Sequence, residues 1–197
     1  IRILSLGSLE AYLKENGFLP QTIIVFRDGV GEGQIGYVKE HEVKAIKDCF
    51  KSVYPKVLPK LVFVIVSKRI NTRLFTCDAQ GRMSNPIPGT VVDNEITQPE
   101  RYDFFLVSQS VNQGTVSPTS FNVIEDESIL KPDHIQRIAY KLTHLYYNWQ
   151  VSKKIYIQET FKSSFKLLCF RLNLLICFEL SDAFCIYQKC LGIKKYI

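Results

Sequence analysis

Two short, almost uninterrupted apolar runs constrain the fold of this chain more than any other feature. Residues 22–26 (TIIVF) and 61–66 (LVFVIV) are rich in β-branched and aromatic side chains, which is typical of strands buried on both faces. Between them, apolar residues from Val38 to Val53 recur at helical spacing, and Pro55 closes the segment. Strand, helix and strand in this order predict a right-handed parallel crossover in an α/β sheet.

Shorter β-type runs are expected to extend this sheet. They lie at residues 73–76, 90–93, 102–108 and 120–124, separated by turn-rich pieces. A helix is predicted over residues 8–16, with Ser8 as its N-cap and Gly17 at its left-handed stop. Another opens at Pro132, and its apolar stripe extends to Trp149. The sequence therefore predicts a mixed sheet flanked by helices.

The composition is that of one globular domain. The chain has 197 residues, of which 46% are hydrophobic and 22% charged, enough to bury a sizeable core. No apolar stretch reaches the roughly 18 residues of a membrane span, and the amino end lacks a signal peptide's pattern, so we expect a soluble intracellular protein. A net charge of +6 is compatible with a polyanionic partner but does not require one. The six cysteines form no CxxC pair, and neither a zinc site nor a disulfide framework is expected.

The character of the chain changes after Gln150. Residues 151–197 are rich in Phe, Leu, Ile, Lys and Cys and contain no Pro, and an amphipathic helix is compatible with their middle part. The tripeptide Gln-Val-Ser at residues 150–152 can be encoded as CAG GTA AGT, the consensus of an exon end followed by a 5′ splice donor. We therefore hypothesise that residues 151–197 are a divergent tail, translated from a retained intron or an alternative last exon. Because the chain begins with Ile, we also expect it to be part of a longer protein.

A family resemblance begins at the first apolar run. The segment IIVFRDGVGEGQI (residues 23–35) resembles the signature in which a buried strand delivers an Arg-Asp-Gly turn to the active site of Piwi proteins, a subfamily of the Argonautes. EVKAIKDCF, PKLVFVIVSKRINTRLF, NPIPGTVVD, YDFFLVSQSVNQGTVSPTSFNVI and LKPDHIQRIAYKLTHLYYNW are similar to further Piwi segments in family order. The resemblance covers about residues 8–150, identifies residues 1–150 as the carboxyl-terminal part of a Piwi domain, and implies a ribonuclease-H-like α/β fold.

The same resemblance implies a function. It implies binding of a guide small RNA of the Piwi-interacting class and of a target RNA, with silencing of transposons and genes in the germline. The family reaction is endonucleolytic cleavage of the target RNA, in which two Mg²⁺ ions are held by hard oxygen ligands. Tudor-type proteins, bound through the parent chain, and an action in perinuclear ribonucleoprotein granules of the cytoplasm or in the nucleus are implied as well.

Asp28 is the candidate catalytic residue and metal ligand. It follows a predicted buried strand, where open α/β sheets bind ligands, and it matches one Asp of the family's Asp-Glu-Asp-His tetrad. An isolated Asp in such a turn more often bonds its own backbone, and Arg27 either pairs with a carboxylate or caps the strand. The first Asp and the Glu of the tetrad belong to segments upstream of Ile1, and no Tyr-Ala-His-Lys motif follows LYYNW. We therefore expect this chain not to cleave RNA by itself.

The candidate RNA contacts are cations and loop residues. They are Lys68 and Arg69, which follow the second strand, and Gln113, Gly114 and Thr115 in a turn-rich loop. Cations and backbone amides contact phosphates without reading the base sequence. The alternative for each residue is a solvated surface position.

Other ionisable residues have less specific interpretations. We expect His41 and His134 to be exposed helical residues and His144 to be structural rather than a metal ligand. An unrelated nuclease of similar fold would need other carboxylates, of which Asp78, Asp93 and Asp103 lie near the predicted sheet. A non-catalytic protein-interaction scaffold or an unstable truncated product is the alternative function, since replacing the last strand and helix of an α/β core exposes apolar surface.

Overall fold

The computed structural model describes residues 2–98, 100–144 and 174–179. The helices are α1 (Arg2–Asn16), α2 (Ile35–Tyr37), α3 (Lys44–Val53) and α4 (Pro132–Thr143). The strands are β1 (Thr22–Asp28), β2 (Lys60–Ser67), β3 (Thr76–Cys77), β4 (Met83–Ser84), β5 (Val91–Val92), β6 (Tyr102–Leu106), β7 (Thr119–Asp126) and β8 (Leu174–Glu179). A 3₁₀ turn (Glu32–Gln34) precedes α2, and a π-helical segment (Val38–Val43) joins α2 to α3.

Six of the described strands form one mixed sheet in the order β5-β6-β7-β2-β1-β8. Strand β1, which lies between β2 and β8, is parallel to both of them. On the other side, β7 runs antiparallel to β2, β6 to β7, and β5 to β6. The parallel pairing of β1 with β2 and the mixed sheet flanked by helices confirm the predicted architecture.

Apolar side chains on the two faces of this sheet form two cores. On one face, Ile24 and Phe26 of β1 pack with Ile135 and Ile138 of α4. On the other face, Ile23, Val25, Leu9 of α1, and Ile46 and Phe50 of α3 lie in one cluster. Helices thus cover the sheet on both sides, which explains why β1 and β2 are apolar at consecutive positions rather than alternating.

The first helix differs from its prediction at the amino end. Helix α1 begins at Arg2, so Ser8 is not its N-cap but an interior residue with only 1% of its surface exposed. Leu9 and Tyr12 pack into the core beside it, and these tertiary contacts outweigh the local capping preference. The predicted stop is confirmed, since Gly17 has a φ of 77° and its amide donates to the Leu13 carbonyl at 2.8 Å.

The second helical run begins earlier than expected and contains an irregular turn. The helical run is predicted from Val38, but the chain is already helical from Glu32 onward. Val38 and Val43 are both buried although they are five residues apart. A π-helical turn is wider than an α-helical one, and it therefore returns the chain to the core-facing side after five residues.

One predicted strand is wrong and three are confirmed. Residues 73–76 do not extend the main sheet; β3 and β4 pair with each other in a separate two-stranded sheet. All four residues of these two strands are exposed, so no buried face attaches them to the core. The other short runs correspond to β5, β6 and β7.

The tail contributes a strand in its middle part, where the sequence pattern is also compatible with an amphipathic helix. Residues Leu174–Glu179 form β8, and Leu175 and Ile176 are buried. A short apolar run does not distinguish a buried strand from a helix by its period, and pairing with β1 satisfies backbone groups that an open sheet edge would expose. Leu145 and Trp149, at the end of the predicted α4 stripe, lie outside the described residues. Within the described ranges no helix has the length and apolar character of a membrane span.

Candidate nucleic-acid interface

The carboxyl ends of β1 and β2 meet at one edge of the sheet, which we call the ligand edge. Asp28 is the last residue of β1 and is in register with Val66 of β2. Lys68 and Arg69 come directly after the end of β2, and both are exposed. The structure thus brings the candidate metal ligand and the two candidate RNA-contacting cations to the same edge.

The loop between β6 and β7 reaches the same edge. Strand β7 is antiparallel to β2, and Ser120 near its start pairs with Ser67 at the end of β2. The loop that precedes β7 therefore lies at the ligand edge, together with its candidate residues Gln113, Gly114 and Thr115, all of which are exposed.

A side chain from another loop fixes this segment. The Asn85 side-chain amide donates to the Gly114 carbonyl at 2.8 Å, and its oxygen accepts from the Val116 amide at 3.1 Å. Gly114 has a φ of 80°, a left-handed conformation that favours glycine. The loop therefore presents its backbone in a defined shape.

Asp28 is held through both its side chain and its backbone. Its Oδ2 accepts from Lys68 Nζ at 2.6 Å, and its carbonyl accepts from Arg27 Nη1 at 2.7 Å. The Asp28 side chain is 23% exposed and that of Lys68 is 60% exposed. Gly29 follows with a φ of 79°, and the chain turns away from the sheet there.

Arg27 is fixed by a carboxylate that the sequence did not reveal. Its Nε donates to Glu42 Oε2 at 3.1 Å and its Nη2 donates to Glu42 Oε1 at 3.3 Å. Glu42 belongs to the π-helical segment, and both side chains are largely buried, at 20% and 14% exposed. Arg27 thus fulfils both expected roles, because it pairs with a carboxylate and also supports the end of β1.

A second ion-pair network attaches the helical run to the sheet. Lys47 Nζ lies 2.6 Å from Glu125 and 2.7 Å from Glu127, and Lys39 Nζ lies 3.6 Å from Glu125. Burial acts to lower the pKa of Lys47, but the hydrogen bonds to both glutamates outweigh it and raise that pKa. The same hydrogen bond from Lys47 holds the pKa of Glu125 below its usual value. This network stabilises the packing of α3 on β7.

The three carboxylates that an unrelated nuclease would need, Asp78, Asp93 and Asp103, have different surroundings. Asp78 pairs with Arg82 at 2.7 Å, and hydrogen bonds from the Arg82 backbone and side chain lower the pKa of Asp78. Asp93 accepts from Gln136 at 2.8 Å. Burial raises the pKa of Asp103, whose Oδ1 has no hydrogen-bond partner in the described part of the chain.

The three histidines lie in or at the end of helical segments, and His41 and His134 are exposed as predicted. His41 is exposed and stacks on Tyr37 with ring centroids 4.1 Å apart. His134 is exposed in the first turn of α4, and its Nδ1 accepts from the Lys131 amide. His144 lies at the end of α4, in edge contact with Tyr140 at 4.7 Å.

The described residues do not by themselves fit a two-magnesium centre. Such a centre needs several oxygen ligands to hold both ions. Across residues 2–98, 100–144 and 174–179, no group of three or more His, Cys, Asp or Glu residues could hold a metal ion. Asp28 contributes one carboxylate at the ligand edge, and the Lys68 ammonium contacts its Oδ2.

A mixed sheet with helices on both faces, and an Asp in an Arg-Asp-Gly turn at the end of a buried strand, are the features of a ribonuclease-H-like protein of the Argonaute class. The family model described as the Piwi domain matches residues 7–160. The chain belongs to the Piwi domain family and is a partial Piwi domain of the Piwi subfamily.

Relatives and solved structures agree with this assignment. Piwi-like protein Siwi of Bombyx mori is 55% identical over 143 residues, which are 72% of this chain and 16% of that protein. The crystal structure of Drosophila Piwi superposes with a TM-score of 0.66 at 41% identity, covering 83% of this chain and 22% of that one. Kluyveromyces polysporus Argonaute with a guide RNA gives a TM-score of 0.61 at 28% identity, covering 87% and 22%. The chain therefore spans a small part of the length of its relatives.

Proposed function

We propose that this chain binds RNA as part of a Piwi protein that silences transposons and genes under the direction of a small guide RNA. Family membership and the likeness to an Argonaute solved with a guide RNA support this proposal. The guide is of the Piwi-interacting class, and the partner RNA is the target that pairs with it.

The observation that carries the proposal is the composition of the ligand edge. Lys68 and Arg69 place two exposed cations after β2, and the loop of residues 113–115 presents exposed backbone at the same edge. Cations and amide groups bind phosphates as charges and as hydrogen-bond donors. These contacts are independent of base sequence, as expected when base pairing with the guide supplies the specificity.

Catalysis requires more than this chain contributes. We propose that Asp28 is one ligand of the Mg²⁺ centre of the parent protein, and that the remaining ligands come from residues outside the described part of the chain. The sequence after LYYNW contains no Tyr-Ala-His-Lys motif. The chain alone is therefore a binding module without slicer activity.

The setting of this activity is also part of the proposal. By family, the parent protein acts in perinuclear ribonucleoprotein granules of the cytoplasm or in the nucleus, and Tudor-type proteins bind it through other parts of the parent chain. Co-purification of the tagged parent protein with Tudor-type proteins tests the partner, and microscopy of the same protein tests the location.

A non-catalytic scaffold remains the second candidate function. The sequence after LYYNW, which contains no Tyr-Ala-His-Lys motif, favours it over an active nuclease. An unstable product with an exposed core has less support, because β8 pairs with β1 and buries Leu175 and Ile176.

Binding of single-stranded RNA at several salt concentrations tests the proposal. Arg69→Met should weaken binding of RNAs of unrelated sequence to a similar extent and reduce the salt dependence by about one counterion. Lys51→Met is the matched control, because Lys51 is an exposed cation on α3 that pairs with Asp48. Equal RNA affinity of both variants and the unaltered protein would contradict RNA binding at the ligand edge.

A further inference from the structure

Lys68 contacts the Asp28 carboxylate and is exposed enough to reach a second anionic group. Its ammonium lies 2.6 Å from Asp28 Oδ2, yet 60% of its side chain is exposed. It leaves the sheet at the same edge as Arg69 and the loop of residues 113–115. One cation therefore lies between the candidate metal ligand and the surface proposed for RNA.

We propose that Lys68 is exchanged between Asp28 and an RNA phosphate. In the RNA-free protein it neutralises the Asp28 carboxylate. When RNA occupies the ligand edge, the ammonium moves to a phosphate and releases Asp28 Oδ2. The inference rests on the proposed function, and it adds that RNA binding controls whether Asp28 is available to a further cation.

Lys68 is more easily exchanged between partners than Arg27, the other cation that contacts Asp28. Arg27 is 20% exposed and is held by a two-point pair with Glu42 and by the Asp28 carbonyl. Lys68 makes a single-point contact through a flexible four-carbon stem, and exposed pairs of this kind are weak. The structure therefore fixes the backbone of Asp28 while leaving the partner of its side chain replaceable.

The exchange has a reciprocal consequence that can be measured without cleavage. If Asp28 and a phosphate compete for the same ammonium, removing the Asp28 charge strengthens RNA binding by freeing Lys68. A general electrostatic effect of the lost carboxylate would act in the same direction, but it would not depend on Lys68. A double-mutant cycle separates these two effects.

The experiment measures the Kd of a short single-stranded RNA for the full protein in EDTA. The variants are Asp28→Asn, Lys68→Met and their combination, with the exposed pair Asp48→Asn and Lys51→Met as the matched control cycle. Asp28→Asn should lower the Kd about two- to fivefold, the range expected for loss of one exposed pair. The same change in the Lys68→Met background should leave the Kd unaltered. Asp28→Ala repeats the cycle without an oxygen that Lys68 can contact, and circular dichroism verifies folding of every variant.

Each outcome decides between defined alternatives. An equal effect of Asp28→Asn in both backgrounds would mean that Lys68 is not exchanged, and weaker binding by Asp28→Asn would mean that Lys68 bridges both anions at once. Either result overturns the inference while RNA binding stands. If Lys68→Met and Arg69→Met both behave like Lys51→Met, it is the proposed function that fails.

Discussion

The Arg27 side chain links the π-helical segment to the end of β1. Its guanidinium contacts Glu42 at two points and the Asp28 carbonyl at a third. Arginine suits this position because its planar group offers several donors in fixed directions. The pair therefore couples the π-helical segment to the backbone that carries the candidate ligand.

Removing the Glu42 carboxylate should destabilise the protein. Glu42→Ala leaves the largely buried Arg27 charge without this partner, which costs about 1–3 kcal/mol, measured as the free energy of unfolding in urea. Asp48→Ala removes an exposed carboxylate of the same helical run and should change stability by less than about 0.5 kcal/mol. Equal effects of the two substitutions would show that the Arg27–Glu42 pair contributes no more than a surface contact.

Asp103 should limit stability at neutral pH. Burial raises the pKa of its carboxyl group, and Oδ1 has no hydrogen-bond partner among the described residues. Because burial raises the pKa, the folded state binds the proton of Asp103 more tightly than the unfolded state. The protonated carboxyl group therefore favours folding below its usual pKa, and the ionised group opposes folding as the pH rises through the raised pKa. Asp103→Asn should therefore raise the Tm at pH 7, with the gain disappearing near pH 3. A lower Tm at pH 7 would contradict this.

At the scale of residues, the sequence predicts several residues of the candidate site but not the contacts between them. Asp28 could be placed because its strand and turn are local features, and Lys68 and Arg69 because they follow a recognisable strand. The contacts that organise the site join residues far apart, 15 positions for Arg27 with Glu42 and 40 for Lys68 with Asp28. Such pairings depend on how the elements pack, which no local pattern specifies.

The strand β8 is the element that changes the interpretation of the tail. It extends the sheet beyond β1 in parallel register, from Thr22 opposite Leu174 to Arg27 opposite Glu179. Its buried residues Leu175 and Ile176 contribute to opposite faces of the sheet. The tail therefore forms part of both cores at this strand.

Truncating a buried side chain of β8 should cost as much as truncating one in any other core strand. Ile176→Ala should lower the free energy of unfolding by about 2–4 kcal/mol. Ile129→Ala makes the same chemical change at a position that is 86% exposed, and it should have an effect of less than about 0.5 kcal/mol. If the two variants are equally stable, the tail does not pair with β1 in solution.

The packing of α3 on β7 should weaken in acid. The Lys47 ammonium holds the pKa of Glu125 below its usual value of about 4.3. The stability that this ion pair contributes is therefore complete above the usual pKa and is lost as the pH falls through the lowered pKa. Glu125→Gln should lower stability by about 1 kcal/mol at pH 7, and the two proteins should converge near pH 2. Parallel stability curves over this range would exclude the pair as a source of pH dependence.

At the scale of elements, apolar periodicity predicts the long helices and strands. It fails for short segments, whose structure depends on whether they are buried. β1, β2, the run ending in α3, and α4 all follow from apolar pattern and turn residues. Residues 73–76 have strand-forming side chains but lie outside the main sheet, and β8 is an apolar run whose period is ambiguous. The N-cap assigned to Ser8 failed for a related reason, since core contacts extend α1 past a local signal.

The described part of the molecule is a sheet flanked by helices, and its ligand edge carries some of the groups that the proposed function needs. Exposed cations, a shaped loop and the Asp28 carboxylate lie at this edge, and the proposed catalytic centre needs further ligands. Strands β2 and β8 pair with β1 on its two sides, so β1 is not an open edge of the sheet. The described part of the chain thus combines a sheet in which β1 is paired on both sides with one candidate ligand of the proposed centre.

The origin of the tail is testable at the transcript. We predict that sequencing the transcript finds residues 151–197 encoded by a retained intron or an alternative last exon, with the boundary at the Gln-Val-Ser codons of residues 150–152. A single exon that crosses this boundary and aligns with the carboxyl ends of other Piwi proteins would contradict that origin.

Cleavage of a complementary target by the guide-loaded full protein in Mg²⁺ shows whether the present tail allows catalysis. Three forms are compared: the present tail, a tail restored to the Tyr-Ala-His-Lys type, and the restored tail with Asp28→Ala. We predict cleavage by the restored form alone, which would identify Asp28 as essential and the present chain as an inactive variant. Cleavage with the present tail would contradict the account, because a residue of this chain would then replace the missing His.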